Sequence, residues 1–103
     1  MQENMNKRII QFGFKNIDKD KLRGVPVLDC RVMVNPFVRG LSDDVMIARV
    51  RANPLFEEVV QIGLQLLAKH DTVFVGCLFG KHRSGAVAAE LAKRTGATIE
   101  MKK

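Results

Sequence analysis

The fold of this chain is decided by one stretch, Thr72-Val73-Phe74-Val75-Gly76-Cys77-Leu78-Phe79-Gly80-Lys81-His82-Arg83-Ser84. Its first six residues are apolar and rich in β-branched side chains, which predicts a buried strand. Residues 84–94 contain four alanines, which predicts a helix packed closely on a sheet, and Gly96 is placed to end that helix. The polar loop between the two elements therefore leads from a strand to a helix N-terminus.

Outside this stretch, three further segments have patterns that predict strands. Residues 8–14 and 25–34 are dense in apolar residues, and residues 97–101 form a shorter apolar segment. The second segment ends at Asn35-Pro36, because proline cannot continue a hydrogen-bonded ladder. Residues 16–24 are polar and predict a connecting turn with a short helical piece.

Two further helices are predicted between residues 42 and 70. Ser42 is suited to cap the first helix, and Asn53 is suited to cap the second, with Pro54 in its first turn. Apolar side chains recur at helical spacing in the second helix and predict its buried face. These residues are Leu55, Val59, Ile62 and Leu66.

Strands that alternate with helices predict an α/β fold. We expect a single-domain sandwich over residues 1–103, with a mainly parallel sheet of about four strands. The phosphate loop would lie between the third strand and the following helix. A chain of 103 residues is long enough for one modest core and too short for two.

The loop at residues 76–84 carries the predicted chemistry. In parallel sheets, ligands bind beyond the carboxyl ends of the strands, and free N–H groups at a helix N-terminus attract anions. A glycine lets the loop curl, and cationic side chains can grip a phosphate. The candidate ligand-binding residues here are Cys77, Gly80, Lys81, His82, Arg83 and Ser84.

The same loop also matches the C-x-x-G-x-x-R-S arrangement of cysteine-dependent phosphatases. In that alternative Cys77 is the catalytic nucleophile and Arg83 stabilises the phosphate. Those enzymes usually carry histidine before the cysteine, where this chain has Gly76. They also need an aspartic acid, for which Asp29, Asp43 and Asp44 are candidates. We therefore expect binding rather than catalysis.

The motif Gly76-Cys77-x-x-Gly80-Lys81-His82-Arg83-Ser84 resembles the C-terminal domain of the RapZ family of bacterial RNase adaptor proteins. Its signature is G-C-x-G-G-K-H-R-S, so Phe79 stands where the family has glycine. Phe12-Gly13-Phe14-Lys15 is similar to that domain's F-G-F-K, and Asp29-x-Arg31 with Asn35-Pro36 is similar to its D-x-R…N-P segment.

The resemblance implies an α/β domain that senses an aminosugar phosphate, glucosamine 6-phosphate, and binds small RNA. Carried over by position, the loop would surround the phosphate, and Asp29 would lie near the rest of the ligand. Asp29 and Arg31 also alternate onto one face, so their pairing with each other is an equal alternative. Cys30 between them is expected to be a small buried residue.

Charge suits an anionic partner. The net charge is +6, and the excess lies at the two ends: six basic and three acidic side chains in residues 1–23, and six and two in residues 81–103. We predict a phosphorylated small molecule as partner, with RNA as an alternative and homo-oligomer formation left open. No cofactor, metal or membrane is expected. Residues 1–4 lack the character of a signal peptide, and a cytoplasmic location is predicted.

Overall fold

The computed structural model describes residues 7–102, which form four strands and three α-helices. The strands are β1 (Arg8–Gly13), β2 (Val27–Asp29), β3 (Thr72–Cys77) and β4 (Thr98–Met101). The α-helices are α1 (Asp43–Arg51), α2 (Phe56–Lys69) and α3 (Arg83–Thr95). Short 3-10 turns span Lys19–Leu22 and Cys30–Val32. The expectations for residues 1–4 and for Lys103 lie outside the described residues.

The four strands form one parallel sheet in the order β2-β3-β1-β4. Ile10 pairs with Phe74 across β1 and β3, and Leu28 pairs with Val75 across β2 and β3. This confirms the predicted α/β fold with a parallel sheet of about four strands. The carboxyl ends of β1, β2 and β3 consequently meet at one edge, and the loop after β3 begins there.

The core lies between the sheet and the three helices. Both helical crossovers, from β2 to β3 and from β3 to β4, run in the same direction across the sheet. Right-handed crossovers that run in the same direction place their helices on the same face of the sheet. Accordingly, α3 packs against both α1 and α2. Ile9, Val73 and Leu91 are fully buried between the layers. Cys30 is also fully buried, as predicted.

Aromatic residues cover the other face of β1. The Phe12 ring is fully buried and packs edge-on against Phe14 and Phe74, with ring centres 4.7 Å and 6.0 Å apart. The guanidinium of Arg31 lies 3.7 Å from the centre of the Phe14 ring. Phe12 is therefore buried on this face, and its ring is not free to stack on bases.

The predicted strand over residues 25–34 is wrong in length, since β2 covers only Val27–Asp29. The Asp29 carboxylate accepts a hydrogen bond from the backbone N–H of Arg31 over 2.9 Å. This contact starts a 3-10 turn and takes the chain out of the sheet. Val32 and Val34 are exposed as a result, although their residue type suits a strand.

The predicted buried face of α2 is right at Val59 and partly at Leu66, and wrong at Leu55 and Ile62. Asn53 Oδ1 accepts from Leu55 N over 2.8 Å in a preceding turn, so the regular helix starts at Phe56. Leu55 and Ile62 are exposed, while Phe56, Val59, Val60, Gly63 and Leu67 face the core. The reason is Gly63: a Cβ there would lie 2.8–2.9 Å from side-chain atoms of Leu91 and Leu28. The absent side chain lets α2 approach its neighbours closely.

Candidate phosphate-binding site

The loop after β3 is held against the end of β1 by two glycines in close contact. Gly80 has a φ of +77°, and a Cβ there would lie 2.6 Å from Gly13 N. A Cβ on Gly13 would in turn lie 2.6 Å from the carbonyl carbon of Phe79. The amide of Gln11 donates to the Gly80 carbonyl over 2.8 Å. The curled loop therefore depends on glycine at both positions, and Gly13 is the partner that sequence reasoning did not assign.

The Cys77 sulfur lies at the centre of this curl. Its Sγ atom is 3.3 Å from Ser84 Oγ, and the backbone N–H of Ser84 donates to Sγ over 3.4 Å. Burial raises the pKa of Cys77, but hydrogen bonds from Ser84 and from the backbone N–H groups of Gly80 and Lys81 outweigh it. The net pKa of the Cys77 thiol is lower than usual, so the loop favours negative charge at its centre.

Arg83 is the first residue of α3, and its side chain is buried beneath the loop with only 7% of the residue exposed. Its Nη1 atom donates to the Met33 carbonyl over 3.0 Å. That bond uses one of the five guanidinium N–H donors and fixes the side chain to the segment after β2. Arg83 also lines a small cavity together with Cys77.

Lys81 and His82 are joined through a carboxylate from another element. Asp43, the first residue of α1, lies 2.9 Å from His82 Nε2 through one oxygen and 3.1 Å from Lys81 Nζ through the other. Hydrogen bonds from His82 and Lys81 hold the pKa of Asp43 below its usual range. An internal carboxylate therefore contacts two of the groups expected to hold a ligand anion.

Two connected spaces lie around these groups. The inner cavity has a volume of about 20 Å³ and is lined by Asn35, Cys77, Phe79, Lys81, His82 and Arg83. The outer cleft has about 450 Å³ and is lined by Asn35, Phe37, Phe79, Lys81 and His82. Four lining residues are common to both, so the inner cavity opens into the cleft. The inner space holds about one water molecule.

Asp29 lies at the same edge of the sheet but is engaged elsewhere. Its carboxylate forms a two-pronged ion pair with Arg31, with distances of 2.7 Å to Nη2 and 2.9 Å to Nε. Hydrogen bonds from Arg31 lower the pKa of Asp29, and the charge of Arg83 adds to the effect. The pairing of Asp29 with Arg31 is therefore observed, and its contact with a ligand stays a prediction.

The structure thus brings six of the seven candidate residues into one loop, while Asp29 stands apart in its own ion pair. Sequence reasoning assigned no ligand-holding role to Asp43, Asn35, Phe37 or Phe79. Asp43 lies in the first turn of α1, directly after the helix cap. An acidic residue at that position stabilises the helix dipole, so its charge did not by itself indicate a binding site. Asn35 and Phe37 lie just beyond the unexpectedly short β2, so no strand pattern pointed to them.

Two sets of basic side chains lie at opposite edges of the sheet. Lys7 and Arg8 lie at the start of β1, where Lys7 pairs with Asp71 and Arg8 pairs with Glu100. That edge is opposite to the loop. Another set lines a cavity of about 590 Å³ beside the loop, together with Phe14, Leu22 and Leu78. These basic residues are Lys15, Lys19, Arg23 and Arg31.

Within residues 7–102, no helix is long and apolar enough to cross a membrane. The same range contains no group of three or more histidine, cysteine, aspartate or glutamate side chains that could hold a metal ion.

The chain is similar to curated bacterial proteins that are named nucleotide-binding proteins. One from Cutibacterium acnes is 34% identical over 119 aligned positions, which cover 94% of this chain and 38% of that protein. One from Rubrobacter xylanophilus is 36% identical, with 86% of this chain and 34% of the relative covered. One from Myxococcus xanthus is 32% identical, with 84% and 35% covered. The chain therefore spans little more than a third of the length of these relatives.

No protein-family model matches the chain. No solved structure matches it significantly either. The similarity to the nucleotide-binding proteins supports ligand binding in general, and the geometry of the loop carries the more specific argument.

Proposed function

We propose that this chain binds a phosphate monoester in the loop Cys77–Ser84 and acts as a sensor or adaptor module related to the RapZ C-terminal domain. The observation that carries the proposal is the buried Arg83, which uses one guanidinium N–H on Met33 and also lines the inner cavity. A buried cation at a helix N-terminus is suited to a phosphate, which accepts several charge-assisted hydrogen bonds.

Ligand entry requires a local rearrangement. The inner cavity has room for about one water molecule, which is less than a phosphate group needs. Lys81 and His82 line it while they contact Asp43. We expect the phosphate to replace the Asp43 carboxylate as their partner, because the dianion offers more charge and more acceptor atoms. The mouth of the cavity would widen as these side chains turn toward the ligand.

The resemblance to the RapZ family makes an aminosugar phosphate, glucosamine 6-phosphate, the first ligand to test. The relatives named nucleotide-binding proteins are compatible with a phosphorylated small molecule in general. A sensor binds its ligand without converting it to a product. This agrees with a loop whose hydrogen-bond donors already contact its own cysteine sulfur.

Equilibrium binding tests the proposal. Glucosamine 6-phosphate and inorganic phosphate are titrated by calorimetry into the natural chain and into Arg83→Gln and Lys81→Ala. Loss of a hydrogen bond to a charged group should weaken binding roughly 10-fold or more. Lys81 is exposed, so its variant keeps the fold even if Arg83→Gln lowers stability.

Lys93→Gln is the matched control, since Lys93 is an exposed cation near the other end of α3. It should leave affinity unchanged. Binding that survives in both Arg83→Gln and Lys81→Ala would refute the loop as the site.

A second candidate function is cysteine-dependent phosphate ester hydrolysis, favoured by the lowered pKa of Cys77. Two observations favour binding over hydrolysis. A Cβ on Gly76 would lie 2.3 Å from the Phe12 ring, so the histidine usual in those enzymes cannot be accommodated. Asp43 is the carboxylate beside the loop, and its low pKa makes it a poor proton donor near neutral pH.

An RNA-binding role is a third candidate, favoured by the basic cavity beside the loop. Lys15, Lys19 and Arg23 lie at the same edge of the sheet as Lys81. Single-stranded nucleic acid binds to such surfaces through many phosphate contacts. Its salt dependence distinguishes it from a pocket for one phosphate group.

A further inference from the structure

The outer cleft is walled by two exposed aromatic rings that the core does not need. Phe37 is 61% exposed and Phe79 is 56% exposed, whereas Phe12 is fully buried. Both exposed rings line the cleft of about 450 Å³ that opens from the inner cavity. Large apolar side chains exposed beside a charged cavity are typical of a ligand-binding surface.

Local contacts order the backbone that carries each ring. The backbone N–H of Phe37 donates to Asn35 Oδ1 over 3.1 Å, which fixes the turn that carries the ring. The Phe79 ring has the ammonium of Lys15 5.4 Å from its centre, and its loop is tied to β1 by the Gly13–Gly80 contact. A backbone segment that is already ordered loses little freedom when a ligand binds.

The polar groups of the cleft lie toward its inner end. Lys81 and His82 line both the cleft and the inner cavity, while the buried Arg83 lines the inner cavity alone. A ligand that fits this arrangement has a phosphate at one end and a flat apolar ring at the other.

We propose that the ligand is a nucleoside monophosphate, with its phosphate at Arg83 and its base against Phe37 and Phe79. The inference rests on the proposed phosphate site and adds the chemical class of the ligand. A sugar phosphate alone fills the charged end and leaves both rings exposed. A base covers them, and each stacked base stabilises binding substantially.

The test compares AMP with ribose 5-phosphate, which is the same phosphate monoester without the base. Calorimetric titrations are made with the natural full chain, Phe79→Ala, Phe37→Ala and Arg83→Gln. AMP should bind at least about fivefold more tightly than ribose 5-phosphate. Phe79→Ala should remove most of this preference and leave ribose 5-phosphate binding unchanged.

Leu78→Ala is the matched control, because Leu78 is the neighbouring exposed apolar residue and lines the basic cavity instead. It should keep the preference for AMP. Equal binding of AMP and ribose 5-phosphate, both weakened by Arg83→Gln, would overturn this inference and leave the phosphate site intact. Absence of binding by AMP would also overturn the inference, and absence of binding by inorganic phosphate as well would overturn the phosphate site.

Discussion

The carboxylate of Asp43 lies 2.9 Å from His82 Nε2, so the first residue of α1 contacts the loop that begins α3. The same carboxylate reaches Lys81 Nζ over 3.1 Å. It joins two elements that are 39 positions apart in the sequence. Because a phosphate would need the same donors, this contact competes with ligand binding.

We therefore expect Asp43→Asn to bind glucosamine 6-phosphate more tightly. An exposed ion pair contributes little, so the gain should be roughly two- to fivefold. Asp44→Asn is the control, since Asp44 is also in the first turn of α1 and has the same relation to the helix dipole. A calorimetric titration in which both variants gain equally, or neither gains, would show that Asp43 is not a competitor.

The Cys77 thiol should ionise below its ordinary pKa of about 8.5. Ser84 and the N–H groups of the loop stabilise the thiolate, while burial holds Cys30 protonated well above that range. The chain has no tyrosine or tryptophan, so ultraviolet absorbance follows the thiolate directly. Ser84→Ala should raise the pKa of Cys77, and Cys30→Ala should leave it unchanged.

The lowered pKa of Cys77 determines how this thiol changes the folding stability with pH. The folded chain loses the Cys77 proton at a lower pH than the unfolded chain, so the contribution to stability grows as pH rises from the folded value toward about 8.5. It is lost as pH falls through the folded pKa. A Cys77 titration at or above the ordinary value would contradict the hydrogen bonding described for the loop.

Much of the architecture was predictable because it rests on periodicity and caps. The strands at residues 8–14, 72–77 and 97–101, the Ser42 cap and the end of α3 at Gly96 all follow local rules. The errors arise where a side chain or its absence overrides the pattern. Asp29 turns the chain out of the sheet, and Gly63 rotates the buried face of α2.

The candidate loop was predictable because its residues are adjacent in sequence. The residues that surround the loop were not predictable, because Asp43 and Asn35 reach it only through tertiary packing. Gly13 was part of a recognised motif, but its contact with Gly80 depends on the pairing of β1 with β3. A single sequence contains no local signal for such contacts.

Gly63→Ala should destabilise the protein although alanine favours helices. The propensity gain is about 1 kcal/mol, and overpacking against buried Leu91 and Leu28 costs about 1–3 kcal/mol. We expect a net loss of up to about 2 kcal/mol in denaturant unfolding.

Gly85→Ala is the comparison for this substitution. A Cβ at Gly85, within α3, would lie 3.3 Å from Gln11 Nε2, which is a much looser contact. Its change in unfolding free energy should stay within about 1 kcal/mol. Equal stabilisation by both alanines would mean that α2 does not depend on the close approach at Gly63.

The salt dependence of binding separates a pocket from an RNA surface. RNA bound along Lys15 and Lys19 would lose affinity with a log–log slope of roughly 0.7 per phosphate contact. We expect glucosamine 6-phosphate to show a shallow slope that Lys15→Gln and Lys19→Gln together do not change. Lys69→Gln is the control, since Lys69 ends α2 at the opposite edge of the sheet.

A structured RNA whose affinity falls steeply with salt would reverse the preference for a pocket. The reversal requires that the slope decrease in the Lys15 and Lys19 double variant and not in Lys69→Gln. Fluorescence anisotropy of labelled RNA at several salt concentrations provides this measurement.

The proposed function rests on the claim that the loop after β3 binds a phosphate group at Arg83. Crystals of the chain soaked with tungstate, a heavy-atom analogue of phosphate, test it most directly. We predict an anomalous peak within hydrogen-bonding distance of the Arg83 guanidinium, with His82 turned from Asp43 toward the anion. An anomalous peak confined to the basic cavity at Lys15 and Lys19, with the loop empty, would contradict the claim.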